Sequence, residues 1–146
     1  MAYVFAYQFA FGSPGHGVQL MAKSFDGGLH WTQARPIFPA TDLCNAFEPS
    51  IGRCVEDGIG GARDDLGPDP SVDIANGAPT GADATNQIVD AWADGRDGLN
   101  HEHVLFASST DRVATWTDPT AIETAGDRGY YAAPAISPNG TDVWVV

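Results

Sequence analysis

The stretch SFDGGLHW, Ser24 to Trp31, places a serine, an aspartate, two adjacent glycines, a histidine and a tryptophan within eight residues. The short side chains of serine and aspartate accept hydrogen bonds from backbone N–H groups a few residues further along. Glycine adopts the positive φ angles of a tight turn, and tryptophan buries a large apolar surface. Every residue type therefore has a structural use, and the stretch predicts a turn anchored on a sheet.

The residues before this turn alternate as a β-hairpin does. From Tyr3 to Phe11 an aromatic residue stands at every second position, and mostly small residues stand between them. This period of two predicts an extended strand with an aromatic face. The letters SPGHG (Ser13 to Gly17) are typical of a turn, and VQLMAKS (Val18 to Ser24) predicts the returning strand. The quoted turn thus follows a hairpin, and WTQARPIF comes after it.

The same order recurs 85 positions later. NQIVDAWAD (Asn86 to Asp94) and HVLFASS (His103 to Ser109) predict two strands joined by a polar turn. STDRVATW then aligns with SFDGGLHW, so that Ser109, Asp111 and Trp116 repeat Ser24, Asp26 and Trp31. A further strand is expected to begin at Trp116.

A second pair of segments repeats within the chain. PSVDIANG (Pro70 to Gly77) and PAISPNG (Pro134 to Gly140) each predict a short strand that ends in Asn-Gly, a strong signal for a tight turn. Each leads into a segment with a central tryptophan, Trp92 or Trp144. No segment shows helical periodicity.

Repeated short antiparallel strands are typical of radial all-β folds, chiefly β-propellers with blades of four antiparallel strands. Residues 70 to 122 predict one complete blade, and residues 2 to 38 predict the last three strands of the blade before it. Residues 134 to 146 predict the start of the next blade, and residues 40 to 69 predict an insertion or long loop. The whole chain, 1 to 146, is thus expected to be a single partial propeller domain.

The predicted blades number about two, whereas closed propellers use roughly four to eight. The chain is therefore expected to be an incomplete propeller, a fragment whose partners are the remaining blades of a longer protein. The opening MAYVFAYQFAFG lacks the basic region and the cleavage site of a signal peptide.

The charge balance excludes two classes of partner. The chain has 19 acidic side chains against seven basic ones, a formal net charge of −12. Nucleic acids and anionic membranes bind through clustered cations, so neither is an expected partner. No apolar run approaches the ~20 residues of a membrane-spanning helix, and no membrane insertion is expected.

The quoted stretch resembles the Asp-box, or bacterial neuraminidase (BNR) repeat, of sialidase-like β-propellers: Ser-x-Asp-x-Gly-x-x-Trp. The first copy matches at Ser24, Asp26, Gly28 and Trp31, with His30 in the place of the usual threonine. The second copy keeps Ser109, Asp111, Thr115 and Trp116, and Val113 replaces the glycine. In the resembled family the box lies between the outer two strands, away from the substrate face, which implies a structural role.

The resemblance also implies a function. The parent protein would be an exo-glycosidase that acts on glycans or glycoconjugates, extracellular or at the cell surface. The alternative is a non-catalytic propeller that binds carbohydrate or protein, or serves as a surface scaffold. The family's Phe/Tyr-Arg-Ile-Pro signature, which carries a substrate-binding arginine, is absent here. This absence favours the non-catalytic alternatives for the present segment.

The resemblance directs attention to four candidate catalytic residues. The family uses an arginine triad, a tyrosine–glutamate pair and an acidic residue. FEPSIGRCVEDG resembles the family's glutamate-containing strand and would make Glu48 the partner of the tyrosine. DRGYY supplies Arg128, Tyr130 and Tyr131 just before a predicted inner strand. A loop whose aromatic residues pack on a neighbouring blade explains the same letters.

No cofactor is required by these motifs, although one loop offers cation ligands. Asp94, Asp97 and Asn100 carry the oxygen atoms that calcium prefers, but not at EF-hand spacing. His101 and His103 supply two of the three ligands of a catalytic zinc, and no third is at hand. A polar hairpin loop accounts for the same residues.

Cys44 and Cys54 are the two cysteines of the chain and lie ten positions apart. This spacing allows a small disulfide loop and equally allows two thiols in a reducing compartment.

Overall fold

All of the regular structure in the described residues is β-strand. The computed structural model describes residues 1–9, 16–50, 53–56, 68–98 and 101–146, and within these ranges it contains no helix. The strands are β1 (Ala2–Phe9), β2 (His16–Ser24), β3 (Arg35–Thr41), β4 (Cys44–Glu48), β5 (Arg53–Glu56), β6 (Ser71–Ile74), β7 (Ile88–Asp94), β8 (His103–Ser109), β9 (Thr120–Ala121), β10 (Pro134–Ile136) and β11 (Val143–Val145). They form several antiparallel sheets, none of which is closed.

The strands belong to two compact units. The first unit covers Met1–Pro70 and Asp94–Glu102, and it contains the sheets β1-β2-β3 and β4-β5. The second covers Ser71–Ala93 and His103–Val146, and it contains the sheets β6-β7-β8-β9 and β10-β11.

The sheet β1-β2-β3 begins with the hairpin that the alternation predicts. β1 pairs along its whole length with β2, from Phe9 opposite Gly17 to Ala2 opposite Ser24, where β2 ends. Described side chains of β1 alternate between half-buried and exposed, as expected for one packed face. A Cβ atom at Gly17 would lie 2.3 Å from the Tyr7 hydroxyl and 2.5 Å from the Gln8 carbonyl oxygen, so only glycine fits there.

β3 is an edge strand whose composition fits that position. Among the described residues it pairs only with β2, and it contains Pro36 and Pro39, residues that lack the N–H needed by a central strand. Beside it, the middle strand β2 buries Gln19 and Met21.

The segment from 40 to 69, predicted as a long loop or insertion, contains regular structure. The end of β3 lies in it, and β4 and β5 form an antiparallel hairpin with a register shift between Cys44 and Ala46. The shift interrupts the alternation of residues between the two faces of a strand, and a strand is predicted from a sequence by that alternation.

The four-stranded sheet runs β6-β7-β8-β9 in chain order and lies within the range 70 to 122 predicted for one blade. Every residue of the inner strand β7 is buried. The last strand differs from the prediction, because β9 has only two residues and begins at Thr120 rather than at Trp116. Pro119, which has no N–H to donate, lies directly before it.

The core of the second unit lies between this sheet and the sheet β10-β11. Val89 packs with Ala75 and Ile136, and Ala91 packs with Val104 and Ala132. A carboxylate also joins the two sheets, because Asp73 Oδ2 accepts the Ile136 N–H at 2.9 Å. Since alternate residues of a strand face opposite sides, Ile88, Asp90 and Trp92 lie on the other face of β7.

Candidate functional site

The first corner, Ser24–Trp31, follows β2 and is closed by the side chain of its first residue. Ser24 Oγ accepts the backbone N–H of Gly28 at 2.8 Å and donates to Asp26 Oδ1 at 2.8 Å. Ser24 is fully buried. Its hydroxyl thus closes a turn that backbone groups alone would leave open.

Asp26 holds the opposite side of the first corner. Its Oδ1 accepts the backbone N–H of His30 at 3.0 Å, and its Oδ2 lies 2.6 Å from His30 Nδ1. These bonds from the backbone and ring of His30, followed by the bond from Ser24, lower the pKa of Asp26 to about 2. The carboxylate is ionised at neutral pH and acts as an acceptor for the turn.

Two further contacts join the end of the first corner to its beginning. Trp31 Nε1 donates to the Gly28 carbonyl oxygen at 3.0 Å. The Thr32 N–H donates to the Lys23 carbonyl at 2.8 Å, and the Lys23 N–H donates to Thr32 Oγ1 at 3.0 Å. The first of these bonds fixes the polar edge of the indole, and the other two join the residues on either side of the corner.

The second corner, Ser109–Trp116, follows β8 and makes the same hydrogen bonds with different residues. Ser109 Oγ accepts the Val113 N–H at 3.0 Å and donates to Asp111 Oδ1 at 3.0 Å. Asp111 accepts the Thr115 N–H at 2.9 Å and the Thr115 hydroxyl at 2.5 Å. The bond from that hydroxyl first, and then the one from the Thr115 backbone, lower the pKa of Asp111 to about 2.

Two of the closing contacts recur in the second corner. The Thr117 N–H donates to the Ser108 carbonyl at 2.9 Å, and the Ser108 N–H donates to Thr117 Oγ1 at 2.9 Å. Ser108 and Thr117 stand 85 positions after Lys23 and Thr32. The repeat in the sequence is therefore also a repeat of the serine, aspartate and backbone hydrogen bonds, with the Thr115 hydroxyl in the place of the His30 ring.

The corners differ at the two positions where the backbone is left-handed. In the first corner these are Gly27 and Gly28, with φ of 78° and 98°. In the second they are Arg112 and Val113, with φ of 62° and 57°. A β-branched residue rarely adopts such a φ angle. The bonds of the serine and the aspartate therefore maintain the turn where glycine is absent.

The serine, aspartate and histidine of the first corner do not form a catalytic triad. In a triad the histidine accepts the serine proton, and the carboxylate orients the histidine. Here the buried Ser24 hydroxyl donates to Asp26, and His30 binds the other oxygen of that same carboxylate. This arrangement builds a turn and leaves the serine without an activating base.

An open pocket of about 320 Å³ lies beside the first corner. It is lined by Lys23, Phe25, Asp26, His30, Trp31 and Thr32. Phe25 is 68% exposed and Trp31 is 43% exposed. The sequence motif assigns no role to Phe25 or Lys23. A difference between the two corners does point to Phe25, because the second corner has Thr110 at the equivalent position.

The structure pairs two of the candidate catalytic residues. Arg128 Nη2 donates to the Tyr130 hydroxyl, and the guanidinium carbon lies 5.4 Å from the centroid of that ring. Tyr131 is exposed, with φ of 51°. Glu48 lies in β4, and its side chain falls outside the described residues. Their catalytic roles stay predictions.

A histidine–glutamate pair lies at the start of β8, and sequence reasoning missed the glutamate. His103 Nδ1 is 2.5 Å from Glu123 Oε1, and the Val104 N–H donates to Glu123 Oε2 at 3.0 Å. Burial raises the pKa of Glu123, but the bonds from the His103 ring, the Glu123 backbone and the Val104 backbone, together with the charge of His103, outweigh it and hold that pKa below its usual value. No local motif links His103 to a residue twenty positions away.

Two of the residues considered as cation ligands, Asp94 and His103, have other contacts. Asp94 is buried and binds Arg96 through two bonds, Nε to Oδ1 at 2.9 Å and Nη2 to Oδ2 at 3.1 Å. Asp97 and His101 lie in the loop that follows, and Asn100 falls outside the described residues. Among the residues that the structure describes, no three His, Cys, Asp or Glu side chains are placed to hold a metal ion.

The two cysteines lie on the paired strands β4 and β5. Cys44 stands opposite Glu56, and Cys54 stands opposite Phe47. The side chains of both cysteines fall outside the described residues.

One buried carboxyl group belongs to none of these clusters. Asp90, in β7, is fully buried, and neither of its carboxyl oxygens has a hydrogen-bond partner among the described residues. Burial raises the pKa of Asp90 to about 8.

The chain matches no family model, no curated protein and no solved structure. In the part of the chain that the structure describes, no helix has the length and apolar character needed to cross a membrane.

Proposed function

We propose that the chain is a segment of a sialidase-like Asp-box propeller that binds glycans without hydrolysing them. The observation that carries this proposal is the repetition of the serine and aspartate hydrogen bonds in two corners 85 positions apart. Each corner lies at an equivalent place, between β2 and β3 in one sheet and between β8 and β9 in the other. Regular repetition of this kind is typical of propeller blades.

The sheets fit the same proposal. The sheet β6-β7-β8-β9 is one blade, β1-β2-β3 supplies three strands of the blade before it, and β10-β11 begins the next. About two blades do not close a ring of four to eight. The remaining blades are therefore supplied by further chain, and a glycan ligand places the parent protein outside the cell or at its surface.

The chemistry of the corners supports binding rather than hydrolysis. Ser24, Asp26, Ser109 and Asp111 all use their oxygen atoms to close the turns. The arginine signature of the resembled enzymes is missing from the chain. A binding role needs neither an activated nucleophile nor an acid.

A second candidate is an exo-sialidase-like hydrolase, which the contact between Arg128 and Tyr130 favours. An arginine binds carboxylates in bidentate geometry, and a tyrosine activated by a carboxylate is a nucleophile. In this alternative the rest of the parent protein supplies the remaining catalytic groups.

Two measurements on the 146-residue chain test the proposal. Once near-ultraviolet circular dichroism shows fixed aromatic packing, we expect binding on an array of immobilised oligosaccharides and no release of fluorophore from a fluorogenic sialoside. A folded chain that binds no glycan would contradict the proposed function. Because the alternative takes its remaining catalytic groups from the rest of the parent protein, the sialoside is also offered to that full-length protein, and turnover there that is lost on Tyr130→Phe would establish the hydrolase instead.

A further inference from the structure

The pocket beside the first corner is not explained by the architecture of the turn. The second corner makes the same bonds with Thr110, Ala114 and Thr115 where the first has Phe25, Leu29 and His30. The turn therefore requires neither an aromatic ring at position 25 nor an imidazole at position 30. Phe25 and Leu29 are 68% and 79% exposed, so they do not stabilise the unit by burial either.

The tryptophan of the first corner has a fixed orientation and a partly exposed ring. Trp31 Nε1 donates to the Gly28 carbonyl, which satisfies the polar edge of the indole and fixes its orientation. The ring is still 43% exposed and forms part of the pocket wall with Phe25. An aromatic wall of this kind binds an apolar face of a ligand.

The rim of the pocket also carries polar groups. When Asp26 accepts the Nδ1–H of His30, the neutral form of the ring carries its lone pair on Nε2, and the imidazole is 89% exposed. Lys23 lines the same pocket and brings an ammonium donor. A ligand that fits has an apolar face bordered by groups that both donate and accept hydrogen bonds.

We propose that this pocket binds a single pyranose ring, stacked on Trp31 and Phe25, with a ring hydroxyl donating to His30 Nε2. A pyranose has an apolar C–H face and a rim of hydroxyls, which meets all three requirements. A pocket of about 320 Å³ is at the lower end of the range for small-molecule sites, in keeping with one sugar unit. The inference rests on the proposed glycan-binding function and assigns that function to a named site.

The test replaces the pocket side chains by those of the second corner. Phe25→Thr with His30→Thr removes the phenylalanine part of the aromatic wall and the acceptor, and it leaves Trp31 in place. The threonine introduced in place of the histidine can repeat the bonds that Thr115 makes to its aspartate. Methyl β-D-glucopyranoside and methyl β-D-galactopyranoside are titrated by calorimetry into the 146-residue chain and into this double variant. We expect saturable binding to the unchanged chain and affinity reduced by about tenfold or more in the variant.

Leu29→Ala is the matched control, because Leu29 is exposed on the same corner and does not line the pocket. Its affinity should stay within about twofold of the unchanged chain. Undiminished glycan binding by the double variant would place the site elsewhere and leave the proposed function standing. A folded chain that binds neither the pyranosides nor any arrayed glycan would overturn both. Saturation by tetramethylammonium but not by the pyranosides would make the pocket a cation site and overturn this inference.

Discussion

The aspartate carboxyl groups of the two corners and of the inner strand β7 lie in opposite environments. Asp26 and Asp111 stand on exposed turns and accept several hydrogen bonds each, and their pKa values fall to about 2. Asp90 is buried without a hydrogen-bond partner among the described residues, and its pKa rises to about 8. The comparison shows that donors aimed at a carboxylate favour its charged form, whereas burial without donors favours the neutral form.

The largest effect is expected from the buried carboxyl group. Because the pKa of Asp90 is raised in the folded state, folding binds a proton, and this group's contribution to stability decreases as pH rises from about 4 to about 8. The decrease is on the order of 5 kcal/mol across that window. Asp90→Asn has no proton to lose, so its free energy of unfolding should lack this slope. Urea unfolding followed by tryptophan fluorescence at pH 4 to 8 measures it.

Asp118→Asn, at an exposed position, is the control and should keep the slope of the unchanged chain. The corner aspartates act in a different window. Their lowered pKa values contribute stability that is present above about pH 4 and lost as pH falls towards 2. An Asp90→Asn chain that still loses stability between pH 4 and 8 would show that the buried carboxyl does not titrate as stated.

The next largest effect tests whether the serine hydrogen bonds stabilise the two corners equally. Ser24→Ala and Ser109→Ala each leave a backbone N–H without its acceptor and remove the donor to the aspartate. Each should lower the free energy of unfolding by about 2–3 kcal/mol. Because the bonds are the same, we expect the two losses to agree, with Thr110→Ala on the exposed surface as a neutral control. A large loss at one corner only would mean that the shared hydrogen bonds do not carry equal weight.

Much of the strand arrangement could be predicted from the sequence, because alternation and turn residues are local signals. β7 and β8 lie where Asn86 to Ser109 predict them, and β2 ends at Ser24 as expected. The pocket could not be predicted, because a motif describes what two corners share, whereas the pocket depends on where they differ. The partner of His103 was out of reach for another reason, since Glu123 is brought to it only by the folded sheet.

A third prediction concerns the left-handed positions. Gly28→Val places in the first corner the residue that the second corner has at Val113. A Cβ atom at Gly28 would meet only the Trp31 Cζ2 atom, at an ordinary 3.8 Å, so backbone strain alone sets the cost. We expect a loss of about 1–2 kcal/mol in the free energy of unfolding and a folded chain, since Val113 has a left-handed φ of 57° at the equivalent position, against 98° at Gly28. Gly28→Asn is the control and should cost less, because asparagine tolerates this conformation.

The smallest effect is expected at Gly27 and Arg112, the residues directly before Gly28 and Val113. Arg112→Gly relieves a left-handed backbone, φ of 62°, but glycine also gains freedom in the unfolded chain, so the net gain should stay below about 1 kcal/mol. Gly27→Arg is the reverse change, and a Cβ atom there meets nothing within 4 Å, so it should lose a similar amount through backbone strain. Paired urea titrations would then give shifts of opposite sign. Shifts of the same sign would mean that side-chain contacts, rather than the φ angle, decide stability at these positions, and that the two corners are less alike than their hydrogen bonds indicate.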